Sequence, residues 1–177
     1  MKKIALFRKY GESAEFVARF DSVEEASDQV KDIINEDEDA NVFDFYTEEQ
    51  EYTDIRERVK TYADACEVLG IAEMDEKAFK ACGFRPDEIA RRKLETITAA
   101  LNEGWRPDWA NSNEYKYWPW FVYNPAGAGF SFAFTRSAAS STDANVGSRL
   151  CYKTRELATY AGRQFEGLYN DFLLIKK

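Results

Sequence analysis

With 177 residues, 45% of them apolar and 32% charged, the chain holds enough apolar material for a packed core and forms one large domain or two small ones. A formal charge of −8 excludes coating of duplex DNA by bulk electrostatics, which needs clustered Lys and Arg. No window approaches the ~18 unbroken apolar residues of a membrane span. The run Ile4 to Phe7 is too short for a signal-peptide core, so a cytoplasmic, non-secreted protein is expected.

Charge is unevenly placed. Residues 1–52 hold six Lys and Arg against 15 Asp and Glu, a net of −9, whereas residues 105–177 hold nine against six, a net of +3. That shift predicts an acidic module over 1–52 and a second module over 53–177. The sequence contains no histidine, which removes Ser-His-Asp and Cys-His nucleophile systems, His general acid/base steps and His-ligated zinc together. Cys66, Cys82 and Cys151 have no C-x-x-C spacing and read as free thiols. No catalytic residue, metal ligand or cofactor is assigned.

In chain order, Lys3 to Arg8 and Glu15 to Phe20 predict a hairpin around Tyr10-Gly11-Glu12-Ser13. Ser22 with Glu25 is a capping-box signature, and Val23, Ala26, Val30 and Ile33 follow at helical spacing. Val42, Phe43 and Phe45 suggest a third strand, completing a ββαβ unit. A short helical middle follows. Thr53 is placed to cap a helix in the 50s, Thr61 to cap one closing at Gly70, and Met74 to Cys82 forms another. Pro86 suits a first helical position, Ala90, Leu94, Ile97 and Leu101 mark one face, and Gly104 is the stop.

The last third changes character. All four tryptophans, Trp105, Trp109, Trp118 and Trp120, fall within 105–123 beside Tyr115, Tyr117, Phe121 and Tyr123. Tyr115 to Tyr123 predicts a strand that Pro119 confines to an edge or bulge. Phe130, Phe132 and Phe134 form the return strand across the turn 124–129, and Ser137 to Asn145 a loop. Arg149 reads as lying on a strand leading into one closing helix from Thr154, faced by Leu157, Ala161, Phe165, Leu168 and Phe172. The expected class is α+β: the ββαβ unit, the helical middle, and an aromatic β-hairpin packed by an amphipathic helix.

Three blocks, Leu101-Asn102-Glu103-Gly104-Trp105-Arg106-Pro107-Asp108-Trp109, Tyr115-Lys116-Tyr117-Trp118-Pro119-Trp120-Phe121 and Val146-Gly147-Ser148-Arg149-Leu150-Cys151-Tyr152-Lys153, carry a resemblance. Over about residues 60–174 the chain resembles an uncharacterised protein family of gut Bacteroidales bacteria and their bacteriophages. The resemblance implies a phage or mobile-element setting and a cytoplasmic origin. It attaches no activity to any residue.

The aromatic block offers the candidate binding residues: Trp105, Trp109, Trp118 and Trp120, with Lys116, Arg136, Arg149 and Lys153 as nearby cations. Alternation places Tyr115, Tyr117, Pro119, Phe121 and Tyr123 on one strand face and Lys116, Trp118, Trp120 and Val122 on the other. Aromatics on both faces exceed what one buried side requires. The leading expectation is therefore a non-enzymatic protein that contacts a protein partner through exposed rings. Single-stranded nucleic-acid binding by the same region, through ring stacking and phosphate contacts, is the alternative. An enzyme using carboxylates and tyrosine is the third.

Overall fold

The computed structural model describes residues 2–11, 13–51, 53–127 and 129–175. Glu12 of the first expected turn and Ala128 of the second lie outside the described residues. The chain is of the α+β class and divides into two compact units, Met1–Thr53 and Asp54–Lys177. Among the described residues no helix is long and apolar enough to cross a membrane.

In the first unit, β1 (Lys2–Tyr10), β2 (Ser13–Phe20) and β3 (Phe45–Glu51) form an antiparallel sheet in the order β2-β1-β3. Helix α1 (Val23–Glu36) starts at Ser22, whose Oγ accepts the Glu25 N–H at 3.2 Å. It buries Ala26 and Val30, and its C-terminal end is tied to β1 by an Arg8–Asp37 ion pair at 2.8 Å. That guanidinium holds the Asp37 carboxyl below its usual range. The expected strand at Val42 begins only at Phe45. Val42–Asp44 is instead a 3-10 turn, because Asn41 and Asp44 cap each other's backbone N–H groups and pull the chain out of extension.

The second unit is built around α5 (Pro86–Asn102), whose Leu94, Ile97, Thr98 and Leu101 are sealed from water. Short helices α2 (Ile55–Arg58), α3 (Tyr62–Leu69) and α4 (Glu76–Ala81) precede it. The cap of α2 is Asp54 rather than Thr53, and Thr61 forms the expected capping box with Asp64. Strands β4 (Lys116–Asn124) and β5 (Gly129–Ala138) make the aromatic hairpin, with a bulge between the Trp120↔Phe134 and Phe121↔Phe132 pairs. Arg149 lies on a 3-10 turn, Gly147–Arg149, and not on a strand; among the described residues the nearby strand pairing is a single bridge, Tyr117↔Tyr152.

The closing helix is two helices, α6 (Arg155–Gln164) and α7 (Glu166–Leu173), a correction to the single helix expected. Phe165 leaves helical geometry (φ −111°, ψ 25°) to put its ring in the core, edge-on to Tyr160. The break lets α6 lie under the hairpin while α7 also packs against α5. Three core hydroxyls meet where these elements converge: Thr98 Oγ1 donates to Tyr152 Oη at 3.0 Å, and Tyr169 Oη lies 3.3 Å from it. Burial pushes both phenols up.

One face of β4 rests on α6 at Gly162, where an added Cβ would strike the Phe132 ring and come within 2.7 Å of Pro119. Gly→Ala inside a helix ordinarily stabilises by ~1 kcal/mol. Gly162→Ala is expected to destabilise instead, by ~1–3 kcal/mol as overpacking does; a urea midpoint at or above that of the parent would contradict the packing described. Burial also pushes the Cys151 thiol up to about 11, whereas Cys82 is exposed. At pH 8 a disulfide reagent should label Cys82 within minutes and reach Cys151 only after denaturation.

Candidate functional site

The hairpin presents two faces, and cross-strand pairing assigns each ring. Tyr117, Pro119, Phe121 and Tyr123 sit opposite Ser137, Thr135, Phe132 and Phe130 on the inner face. Phe121 meets the core Tyr169 ring at 4.7 Å, and Thr135 Oγ1 lies 2.8 Å from Thr159 Oγ1 of α6. Lys116, Trp118, Trp120 and Val122 sit opposite Ala138, Arg136, Phe134 and Ser131 on the outer face.

The free edge of β5 is closed by side chains of the helices. Asn170 accepts the Phe130 N–H and donates to its carbonyl, both at 2.6 Å. Glu166 accepts the Phe132 N–H at 2.8 Å and Arg155 donates to the Thr135 carbonyl at 2.9 Å. These bonds occupy groups on which a foreign strand would have to pair. Strand addition at the β5 edge is thereby disfavoured.

On that surface the expected binding residues separate. Lys116 is a correction: it is fully buried, not a surface cation. Its ammonium donates to the carbonyls of Asp108, Glu114 (2.7 Å) and Ala139 (3.0 Å), and pairs with the Glu114 carboxylate at 3.1 Å. No ligand reaches it. Trp118 is likewise a core ring, 5% exposed, with its indole N–H donated to the Asp143 carboxylate at 2.8 Å. Trp109 is half-buried and donates to Ser148 Oγ at 2.7 Å, and Trp105 is half-buried. Lys153 pairs with Glu103 at 3.1 Å, and its backbone N–H is held by Asn102. Arg149 is exposed and has no hydrogen bond or ion pair among the described residues.

Trp120 and Arg136 come together. The two rings of the Trp120↔Phe134 pair stack at 6.2 Å with 26° between planes, and the Arg136 guanidinium lies 4.3 Å from the indole centre. Phe134 is 50% exposed and Val122 is 53% exposed. Next to Trp120 runs a cleft of about 490 Å³, lined by residues 118–121 and Phe130 of the hairpin, by Asp143–Val146 and by Leu173 of α7. Trp105, Trp109, Lys116, Arg136, Arg149 and Lys153 do not line it. Phe134, Val122 and the Asp143–Val146 stretch are not among the binding residues expected from the sequence; the alternation of Phe130, Phe132 and Phe134 does not reveal the bulge that turns Phe134 outward.

The electrostatics of this surface are balanced. Arg136 faces Asp143 at 3.7 Å, Lys116 has Glu114, and Lys153 has Glu103. The cleft thus offers flat apolar area edged by a compensated ion pair, with no excess positive charge aimed at it. Comparison of the chain with protein-family models, with curated proteins and with solved structures finds no match.

Replacing the caged cation tests its structural role. Lys116→Met leaves three carbonyls and one carboxylate without their buried donor, and should cost ~3–5 kcal/mol in chemical denaturation. A cost under ~1 kcal/mol, the range of a surface ion pair, would show that the cage is dispensable.

Proposed function

We propose that the chain is a non-enzymatic interaction protein that docks an apolar segment of a protein partner on the outer face of its aromatic hairpin. The observation that carries this reading is the Trp120–Phe134 stack, with Phe134 half-exposed and Trp120 lining a cleft large enough for one or two anchoring side chains. A stacked Trp–Phe pair with an Arg at its edge has the composition of interface hot spots. Phosphate recognition at this face is disfavoured by pairing of Arg136, Lys116 and Lys153 with carboxylates. The resemblance of residues 60–174 supports a phage or mobile-element origin and action in the host bacterial cytoplasm.

A benzophenone amino acid placed at Phe134 in the full chain identifies the partner by photocrosslinking in producing cells. With that partner purified, Trp120→Ala/Phe134→Ala is expected to weaken binding at least ~30-fold, as loss of a hot-spot pair does. The thermal midpoint should move by only a few degrees, because Phe134 is half in solvent. Affinity within threefold of the parent would remove the proposal, as would crosslinks to no single protein above those formed by a probe at exposed Ala99.

A further inference from the structure

A second cleft of the same unit has a different chemistry. It measures about 490 Å³ and lies along the exposed side of α6, the helix that backs the hairpin. Arg155 and Arg163 line it from α6, with Thr159 between them at the same helical spacing, and Arg56 lines it from α2. The two α6 positions are eight residues apart, about 12 Å along the axis.

The arginines are set for recognition more than for neutralisation. Arg155 lies 5.4 Å from the Tyr117 ring centre and Arg163 lies 5.5 Å from that of Phe132. Neither pairs with a carboxylate among the described residues, and one Arg155 N–H group is donated to the Thr135 carbonyl. Each guanidinium carries five N–H donors, so most of them remain for a ligand. Arg155 also stands in the first turn of α6, where the helix dipole already adds positive potential and a cation is locally unfavourable. Arg56 is held by Asp54, which accepts from its Nε at 2.9 Å. Its position across the cleft is fixed because Tyr160 and Gln164 donate to the Val59 and Lys60 carbonyls at 2.7 and 2.9 Å. Glu156 is the one acid among the lining residues, and Asp54 already balances Arg56, so the uncompensated charge of the cleft is that of Arg155 and Arg163.

We infer that this cleft binds an anion carrying two or more phosphoryl groups, with Arg155 and Arg163 as the principal contacts and Arg56 closing the far side. Planar forks match phosphate oxygens two at a time, which is why arginines rather than lysines suit the two α6 positions. The span between the α6 arginines exceeds a single phosphate, so a chain of phosphoryl groups is the ligand class. Such a chain occurs in a free oligophosphate or nucleotide and along a nucleic-acid single strand.

Titration calorimetry of the full chain with tripolyphosphate and with a ten-nucleotide thymidine strand, at 20 mM salt, separates these sources. At least one probe is expected to bind, and Arg155→Gln/Arg163→Gln should weaken it at least tenfold. Arg163→Gln alone, which leaves the Arg155–Thr135 bond intact, should weaken it about threefold or more, and Glu156→Gln should strengthen it. If the strand is the ligand, log K should fall with log salt at a slope of about −1.4 to −2.1, two to three phosphates being neutralised. Trp120→Ala/Phe134→Ala should leave the binding unchanged, so the site stands or falls apart from partner docking at the hairpin. Absence of binding by both probes at low salt, or equal binding by the parent and both arginine variants, overturns the inference.

Discussion

The Lys116 ammonium is the constraint on which the architecture of the hairpin surface depends. A charge that is fully buried is tolerated only when its donors are satisfied, and here they are satisfied by backbone carbonyls of two loops, at Asp108 and Glu114 ahead of β4 and at Ala139 after β5. The bond to Ala139 fixes the start of the loop that leaves β5. That loop goes on to supply Asp143 to the Trp118 indole and to Arg136, and its Asp143–Val146 stretch becomes the wall of the aromatic cleft. A residue expected to meet a ligand is therefore what shapes the place where a ligand would sit. Its charge is used entirely inside the protein.

The three sequence blocks 101–109, 115–121 and 146–153 converge through the same kind of contact. Asn102 acts as a short strand made from a side chain, donating to the Cys151 carbonyl at 2.9 Å and accepting the Lys153 N–H at 3.0 Å. Trp109 reaches Ser148, and Tyr117 and Tyr152 exchange backbone hydrogen bonds at 3.0 and 2.7 Å. Each block thus contributes one half of a bond completed by another. The specificity of these blocks is explained by folding requirements, and the exposed Trp120–Phe134 pair lies partly outside them, since Phe134 belongs to no block. The docking proposed for the hairpin rests in part on a half-exposed ring, Phe134, that these block-to-block bonds do not involve.

How much of this was legible follows from the range of each signal. Local signals read well: Ser22, Thr61 and Pro86 start the helices they were expected to start, because capping is decided within four residues. Alternation in β4 also read correctly, since the bulge falls on the β5 side of the pair. What failed was long-range. Whether Lys116 or Trp118 sees solvent depends on loops 8 to 25 residues away in sequence that wrap over them. Nothing near Phe165 announces a helix break either; the ring is drawn inward by packing with Tyr160, which a periodic pattern continuing through Leu168 and Phe172 conceals. The arginine cleft was invisible for the same reason, Arg56 being placed opposite Arg163 only through bonds that span about a hundred residues.

The charge pattern now acquires a physical order. In residues 1–52, where the net is −9, every described cation already lies against an acid or a ring: Lys2 with Glu49, Lys3 with Asp21, Arg8 with Asp37 and Lys31 with Asp28, while Lys9 and Arg19 lie over Tyr46 and Phe16. Its cations are internally engaged and its surplus is negative, which repels phosphate. Around the hairpin, Arg136, Lys116 and Lys153 are matched one to one by carboxylates, leaving apolar area as the distinguishing feature. Among the described residues Arg92 of α5 lies over Phe79 and Phe84 without a carboxylate partner, and along α6 two arginines that line one cleft do the same over Tyr117 and Phe132. A guanidinium over a ring keeps its charge and most of its donors, whereas one paired with a carboxylate is electrostatically complete. The distinction between the two clefts thus lies in what each arginine rests on: Arg136 rests on Trp120 but faces Asp143 and is balanced, while Arg155 and Arg163 rest on Tyr117 and Phe132 and are not.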